Sequence, residues 1–237
     1  MFRNVKFRIQ DLNNMHIIKL SNIIKSYEDG ENRLNCVLRG ITMEIEKGEF
    51  VAVKGPSGSG KTTLLSILGT LLPPDSGSYL LNETEMVSTA ADHSEIRNKQ
   101  IGFVFQDHRL MPQLTALENI LLPTLAGKSE TAAEERDYAG QLMKLTRISG
   151  IVNQYPHTLS GGEASRVAVC RALIMKPSLL LADEPTGQLD TENARNIARL
   201  LTDIHNNLHT TIVMVTHSDE ISAAAHRILT LKQGILQ

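Results

Sequence analysis

The residues best equipped for chemistry are Gly55-Pro56-Ser57-Gly58-Ser59-Gly60-Lys61-Thr62. They match the pattern G-x-x-x-x-G-K-[ST], between a strand-like run and a helix-like run, which is the context the pattern needs. Glycines let the backbone turn tightly and approach a ligand with no Cβ in the way. The N–H groups of such a loop, and of the helix start behind it, face phosphate. Lys61 is expected to reach β- and γ-phosphates, and the Thr62 hydroxyl to bind Mg²⁺. A second group is the apolar run Leu179-Leu180-Leu181-Ala182 ending in Asp183 and Glu184. Ligands of open α/β sheets sit at the carboxyl ends of strands, so Asp183 belongs near the loop, suited to holding Mg²⁺ through water. Glu184 is then free to orient or deprotonate an attacking water. Without the loop upstream, Asp183-Glu184-Pro185 would read equally well as a polar turn after a buried strand.

A third group, Leu159-Ser160-Gly161-Gly162-Glu163, precedes a helix pattern. Ser160 and Glu163 form a capping box, which needs no function. Gly161 and Gly162 are poor helix formers in a first turn. Their presence is easier to explain if an anion must approach that helix end closely.

The elements that must position these groups alternate between strand and helix. Strand-like runs fall at Ile17–Leu20, Thr42–Ile45, Phe50–Lys54, Tyr79–Leu81, Ile101–Phe105, Leu179–Ala182, Thr211–Val215 and Ile228–Leu231. Leu64, Ile67, Leu68 and Leu71 share a helical face, as do Ile197, Leu201, Ile204 and Leu208. Residues 110–157 are polar, Ala-rich and helical, with capping boxes at Thr115/Glu118 and Thr131/Glu134, and read as a helical insertion. The fold class is therefore α/β with a mainly parallel, helix-covered sheet. Residues 1–14, before a second methionine at Met15, read as a poorly anchored extension of a single domain over 15–237.

The chain has 237 residues, 41% of them apolar and 21% charged, an ordinary composition for a packed domain. The net charge of −2 argues against a general nucleic-acid binder. The two cysteines, Cys36 and Cys170, have no metal-ligand or redox spacing, which fits a reducing compartment. No stretch approaches the roughly 20 apolar residues that span a bilayer.

Together the motifs resemble the ATP-binding cassette (ABC) ATPase family, over roughly residues 15–237. Gly55–Thr62 is the phosphate loop. Phe105-Gln106 resembles the family's Q-loop, Leu159–Glu163 its signature, and Leu179–Glu184 its Walker B strand with the catalytic glutamate. Gly187-Gln188-Leu189-Asp190 resembles the D-loop, and Val215-Thr216-His217 the switch histidine. All stand in the family's order. The loop, Leu114-Thr115-Ala116-Leu117-Glu118-Asn119-Ile120 and Glu163 are similar to the stand-alone ATPases of lipoprotein-release, macrolide-export and antimicrobial-peptide-resistance systems. Ala164, Ser165, Cys170 and Gln188 depart from the usual pattern but remove no catalytic group.

The resemblance implies a P-loop ABC ATPase fold, with an N-terminal antiparallel β portion and a helical subdomain at about 110–157. It implies ATP and Mg²⁺ as ligands. The loop with Thr63, Tyr27 stacked on adenine, and Ser160, Gly161, Gly162, Glu163 and Asp190 acting across a dimer interface would bind nucleotide. Thr62, Gln106 and Asp183 would hold the metal, with Glu184, His217 and Gln106 catalytic. The partners implied are a second copy arranged head to tail and separate transmembrane permease subunits, at the cytoplasmic face of the inner membrane. Leu110, Met111 and Leu114 are candidates for the permease contact. An ATP-driven regulator of cell-envelope enzymes would carry the same site. A soluble ABC ATPase of DNA repair or translation would normally add a long coiled coil or a second cassette. A small-molecule P-loop kinase gives no reason for the signature or the switch histidine.

Overall fold

The computed structural model describes residues 16–28, 30, 33–87 and 93–237; the expected extension over residues 1–14 lies outside them. The chain runs β1 (His16–Glu28), β2 (Leu34–Glu46), β3 (Phe50–Lys54), α1 (Lys61–Leu68), β4 (Ser76–Leu81), β5 (Thr84–Glu85), α2 (Ser94–Gln100) and β6 (Ile101–Val104). It continues with α3 (Ala116–Leu121), α4 (Ala133–Leu145), α5 (Gly161–Leu173), β7 (Leu179–Asp183), α6 (Thr191–Leu208), β8 (Thr211–Thr216), α7 (Asp219–Ser222), β9 (Arg227–Lys232) and β10 (Ile235–Leu236).

Two sheets form. One has the order β10-β9-β3-β8-β7-β6, with β9, β3, β8, β7 and β6 parallel and β10 antiparallel at the edge. The other, β2-β1-β4-β5, is antiparallel throughout. A parallel sheet covered on both faces needs apolar residues on both faces. The alternation along β3, β7 and β8 divides them between two cores. Val51, Val53, Leu179, Leu181, Val213 and Val215 face α1 and the antiparallel sheet. Phe50, Ala52, Leu180, Ala182, Ile212 and Met214 face a core shared with α3, α4, α5 and α6. Each Val, Leu or Ile buried this way stabilises the fold by about 1.5–3 kcal/mol.

The strands of the antiparallel sheet run far beyond the expected Ile17–Leu20 and Thr42–Ile45. The pairing of β1 with β2 shifts register between Leu20 and Ile23, where Asn22 is left-handed (φ 52°). A bulge of this kind breaks the two-residue alternation from which strands are read. Leu71 is a further correction: α1 stops at Leu68, and Leu71 is 49% exposed instead of sharing its buried face. The capping box at Thr115/Glu118 forms, but the one at Thr131/Glu134 does not. Glu135, paired with Lys128 at 2.7 Å, instead accepts the N–H of Ala132, so α4 starts one residue later without a capping hydroxyl. Cys170 is wholly buried, 3.2 Å from the Thr146 hydroxyl, and its thiol is pushed up to about 12 by burial. It serves as a small core residue.

At the end of the parallel sheet opposite the phosphate loop, His205 is buried with its ring 4.7 Å from His226 and 5.9 Å from Phe50. Burial holds its pKa below the usual histidine value, and the nearby His226 and His209 act in the same direction. Below the unfolded value of about 6.5, the unfolded chain binds the proton more readily. Stability is therefore complete above that pH and is lost as pH falls through the lowered folded value. The unfolding temperature should drop between pH 7.5 and 5.5, and drop less in His205→Leu. An equal drop in both proteins would contradict this.

Candidate functional site

The phosphate loop joins the carboxyl end of β3 to α1. Gly60, the residue before α1, has φ 101°, a conformation open in practice to glycine. That turn aims Lys61 back into the loop. Its ammonium, 8% exposed, donates to the Gly55 carbonyl at 2.9 Å and the Pro56 carbonyl at 3.1 Å. The Ser59 hydroxyl is buried with no hydrogen-bond partner among the described residues.

The strand order places β8 beside β3 and β7 beside β8, so their carboxyl ends lie next to the loop. Asp183 closes β7, and its Oδ1 accepts from the Thr62 hydroxyl at 3.3 Å. Burial raises its pKa against the opposing Thr62 hydrogen bond, and the Glu184 charge raises it further. Glu184 follows in left-handed backbone at φ 44°. That conformation costs about 1–2 kcal/mol for a residue with a Cβ. Two backbone hydrogen bonds hold it: Glu184 N–H to Val215 O at 3.0 Å, and Gly187 N–H to Glu184 O at 2.9 Å. Its carboxylate, 13% exposed, is shared between two partners. Oε1 lies 3.7 Å from Lys61 Nζ, and Oε2 accepts from His217 Nδ1 at 2.9 Å and His217 N–H at 3.3 Å. A salt bridge from Lys54, at the end of β3, to Asp219 anchors the turn that carries His217.

Lys61, Thr62, Glu184 and His217 line one open cavity of about 660 Å³; Asp183 does not line it and reaches it through Thr62. Ser57, Gly58, Gly60, Lys61, Thr62 and Thr63 form its floor, and Gln106, Glu184 and His217 its far wall. Val37 of β2 completes it, and nothing in the sequence pointed to that residue, because only the tertiary fold brings β2 over the loop. Thr62 and Asp183 offer adjacent oxygen donors, the hard ligands that suit Mg²⁺, and two protein donors leave room for phosphate oxygens and water.

Other expected site residues lie elsewhere. Tyr27, at the end of β1, is 43% exposed and does not line the cavity. Ser160, Gly161, Gly162 and Glu163 do not line it either. Ser160 caps α5: its hydroxyl accepts the Glu163 N–H at 3.3 Å, and the Glu163 carboxylate accepts the Ser160 N–H at 2.9 Å. The Ser160 hydroxyl, which also donates to the Glu163 carboxylate at 2.7 Å, and then the Ser160 N–H hold that carboxyl below its usual range. A Cβ on buried Gly162 would meet Asn193 Oδ1 at 2.9 Å, so packing of α5 on α6 is by itself a reason for that glycine. Asp190 caps α6, accepting the N–H groups of Glu192 and Asn193 at 3.0 Å. Ser160 and Asp190 are both exposed.

The family model described as "ABC transporter" matches residues 38–187. The chain is 40% identical to a lipoprotein-releasing system ATP-binding protein of Saccharophagus degradans, covering 93% of this chain and 96% of that protein. Identity is 43% to the corresponding protein of Bacteroides thetaiotaomicron, covering 93% and 99%. It is 40% to a macrolide export ATP-binding/permease protein of Syntrophobacter fumaroxidans, covering 94% of this chain but 31% of that longer protein. A solved ATP-binding cassette, dimeric and bound to ADP and Pi after hydrolysis, superposes with a TM-score of 0.83 at 38% identity, covering 93% and 96% of the two chains.

The carboxylate geometry predicts that Glu184→Gln keeps nucleotide binding while phosphate release from ATP falls about 10²–10⁴-fold, the usual contribution of a positioned base. Steady-state phosphate release checks this, and an unchanged rate would refute the role given to Glu184.

Proposed function

The chain belongs to the ABC transporter family as an ATP-binding, ATP-hydrolysing cassette, and on that footing we propose that two copies close head to tail around two ATP molecules to drive separate membrane subunits. One observation carries this reading. Lys61, Thr62, Gln106, Glu184 and His217 gather on one open cavity, while the exposed Ser160 turn stands apart from it. A helix start with free N–H groups suits an anion, and a second copy can bring that turn to the open side of the cavity.

Phosphoryl transfer to water needs mainly positioning and charge stabilisation. Lys61 neutralises charge on the β- and γ-phosphates. Thr62 and Asp183 hold Mg²⁺, with Gln106 beside them; the ion, when bound, offsets negative charge on the phosphate oxygens. Glu184 orients and deprotonates the attacking water. His217 fixes the Glu184 carboxylate and, once the nucleotide is bound, contacts the γ-phosphate. The partner subunit's Ser160, with its two glycines, grips that phosphate from the other side, and Asp190 crosses the interface. Tyr27 offers its exposed ring to the adenine as β1 and β2 close over the base. ATP favours the closed dimer because it touches both halves, and hydrolysis removes the bridge.

The motion passes outward through Gln106. Beside it lies a groove of about 430 Å³ lined by Leu71, Phe103, Phe105, Arg109, Leu122 and Met175. We assign this groove to a cytoplasmic helix of the membrane subunit. It suits that role better than Leu110, which packs into the core, although Met111 nearby is 45% exposed. Among the described residues no helix is long and apolar enough to cross a membrane, which fits a peripheral subunit at the cytoplasmic face. The lipoprotein-releasing and macrolide-export relatives favour outward movement of a lipidated or apolar cargo.

Ser160→Arg should leave ATP binding by one chain intact and abolish ATP-driven dimerisation, followed by size-exclusion chromatography in a Glu184→Gln background. Normal dimers of that double variant would sink the two-copy site.

A further inference from the structure

Directly after Gln106 the chain carries two consecutive left-handed residues with side chains, His108 (φ 59°) and Arg109 (φ 47°). Such a pair persists only where the surroundings fix it. Here α5 does so. The Arg171 guanidinium donates to the His108 carbonyl and to the Arg109 carbonyl, each at 2.6 Å. Burial holds the Arg171 pKa below its usual value, with the Arg109 charge acting the same way, so the two carbonyls help to satisfy a desolvated cation.

The buried His108 ring then reaches back in two directions. Nδ1 lies 3.1 Å from the Gln106 carbonyl, and Nε2 lies 2.9 Å from the Ser165 hydroxyl and 3.2 Å from the Gly161 carbonyl. A carbonyl only accepts, so the neutral ring carries its proton on Nδ1 and donates to Gln106. Nε2 is then an acceptor, and in that tautomer the Ser165 hydroxyl, which also lies 3.0 Å from the Gly161 carbonyl, turns its one proton to the ring. Ser165 is itself buried, and its short hydroxyl side chain meets the imidazole directly.

We propose that His108 and Ser165 are positioning residues that fasten Gln106 to the first turn of α5, so that the cavity's glutamine and the Ser160 turn offered to the second copy move as one body. Neither residue lines the cavity. Gly161, one of the two glycines of that turn, is itself in contact with the His108 ring, which puts the fastening one residue from Ser160. Arg109 extends the link in the other direction, its guanidinium 4.1 Å over the Phe105 ring, which stacks on Phe103 at 5.3 Å in the groove assigned to the membrane subunit. This inference rests on the two-copy ATP site proposed above.

The test uses the purified full chain, with ATP turnover and thermal unfolding measured for His108→Ala, Ser165→Ala and the double variant. Each single change should lower kcat about 3–10-fold with KM for ATP and the unfolding temperature almost unchanged, and the double variant should match the singles, because both remove one link. His108→Gln, whose amide oxygen can accept from Ser165, should recover part of kcat, and should recover none in the Ser165→Ala background. Unchanged kcat, losses that multiply, losses that track a falling unfolding temperature, or recovery independent of Ser165 would each overturn the proposal. Failure of the underlying site has a different sign: a Ser160→Arg, Glu184→Gln chain that still forms ATP-driven dimers removes both readings, whereas one that stays monomeric leaves the His108–Ser165 result to stand by itself.

Discussion

The site depends on a buried ammonium that cannot be left alone. Lys61 is almost wholly out of water, and a charge so placed must be paired and hydrogen-bonded. The loop meets that need by turning its own Gly55 and Pro56 carbonyls inward, and Glu184 adds a carboxylate. Breaking a buried pair of this kind costs about 3–5 kcal/mol, because the remaining charge has no water to return to. Much of the local architecture serves this constraint. Gly60 turns the loop, β7 is hydrogen-bonded beside β8 and β8 beside β3, and Glu184 accepts a left-handed backbone to face the ammonium. A triphosphate offers Lys61 more negative charge than one carboxylate does. In the proposed site, binding would therefore exchange one set of partners for another and leave Glu184 and His217 already paired.

How much of this was legible depended on whether a signal was local. The phosphate loop could be read from its own turn chemistry after a buried strand, and Asp183-Glu184 from the strand end that precedes it, whereas a lone histidine such as His217 carries no local signal and was reached only through the resemblance to the family. α6 could be read from Thr191 to Leu208 because the apolar face of Ile197, Leu201 and Ile204 and the Asp190 cap agree, although Leu208, expected on that face, is 38% exposed at the helix end. The strands β1 and β2 could not be followed to their ends, since bulges near Asn22 move apolar residues out of period. Val37 carried no signal, because it reaches the cavity only through the stacking of one sheet over the other. Ser165 carried no signal of its partner either, because the imidazole it meets lies 57 residues away along the chain.

Splitting the core in two has a mechanical consequence. Asp183, Glu184 and His217 stand at or just past the ends of strands packed between both cores, and Lys61 opens the helix that packs on one of them. Gln106 and the Ser160 turn belong to segments packed on α3, α4 and α5, on one side of the parallel sheet only. Closure and opening can thus act on the second set without disturbing the first. The groove by Phe103 and Phe105 lies where the two meet.

The composite nature of the site is tested most directly by mixing two inactive chains, Lys61→Ala and Ser160→Arg. In a head-to-tail dimer of one of each, one site collects both lesions and the other collects neither. Random pairing then leaves roughly a quarter of the native number of intact sites, so ATP turnover should rise well above either variant alone. If each chain instead carries a whole site, both partners stay dead, and a mixture with no more phosphate release than its components would contradict the two-sided grip on the nucleotide.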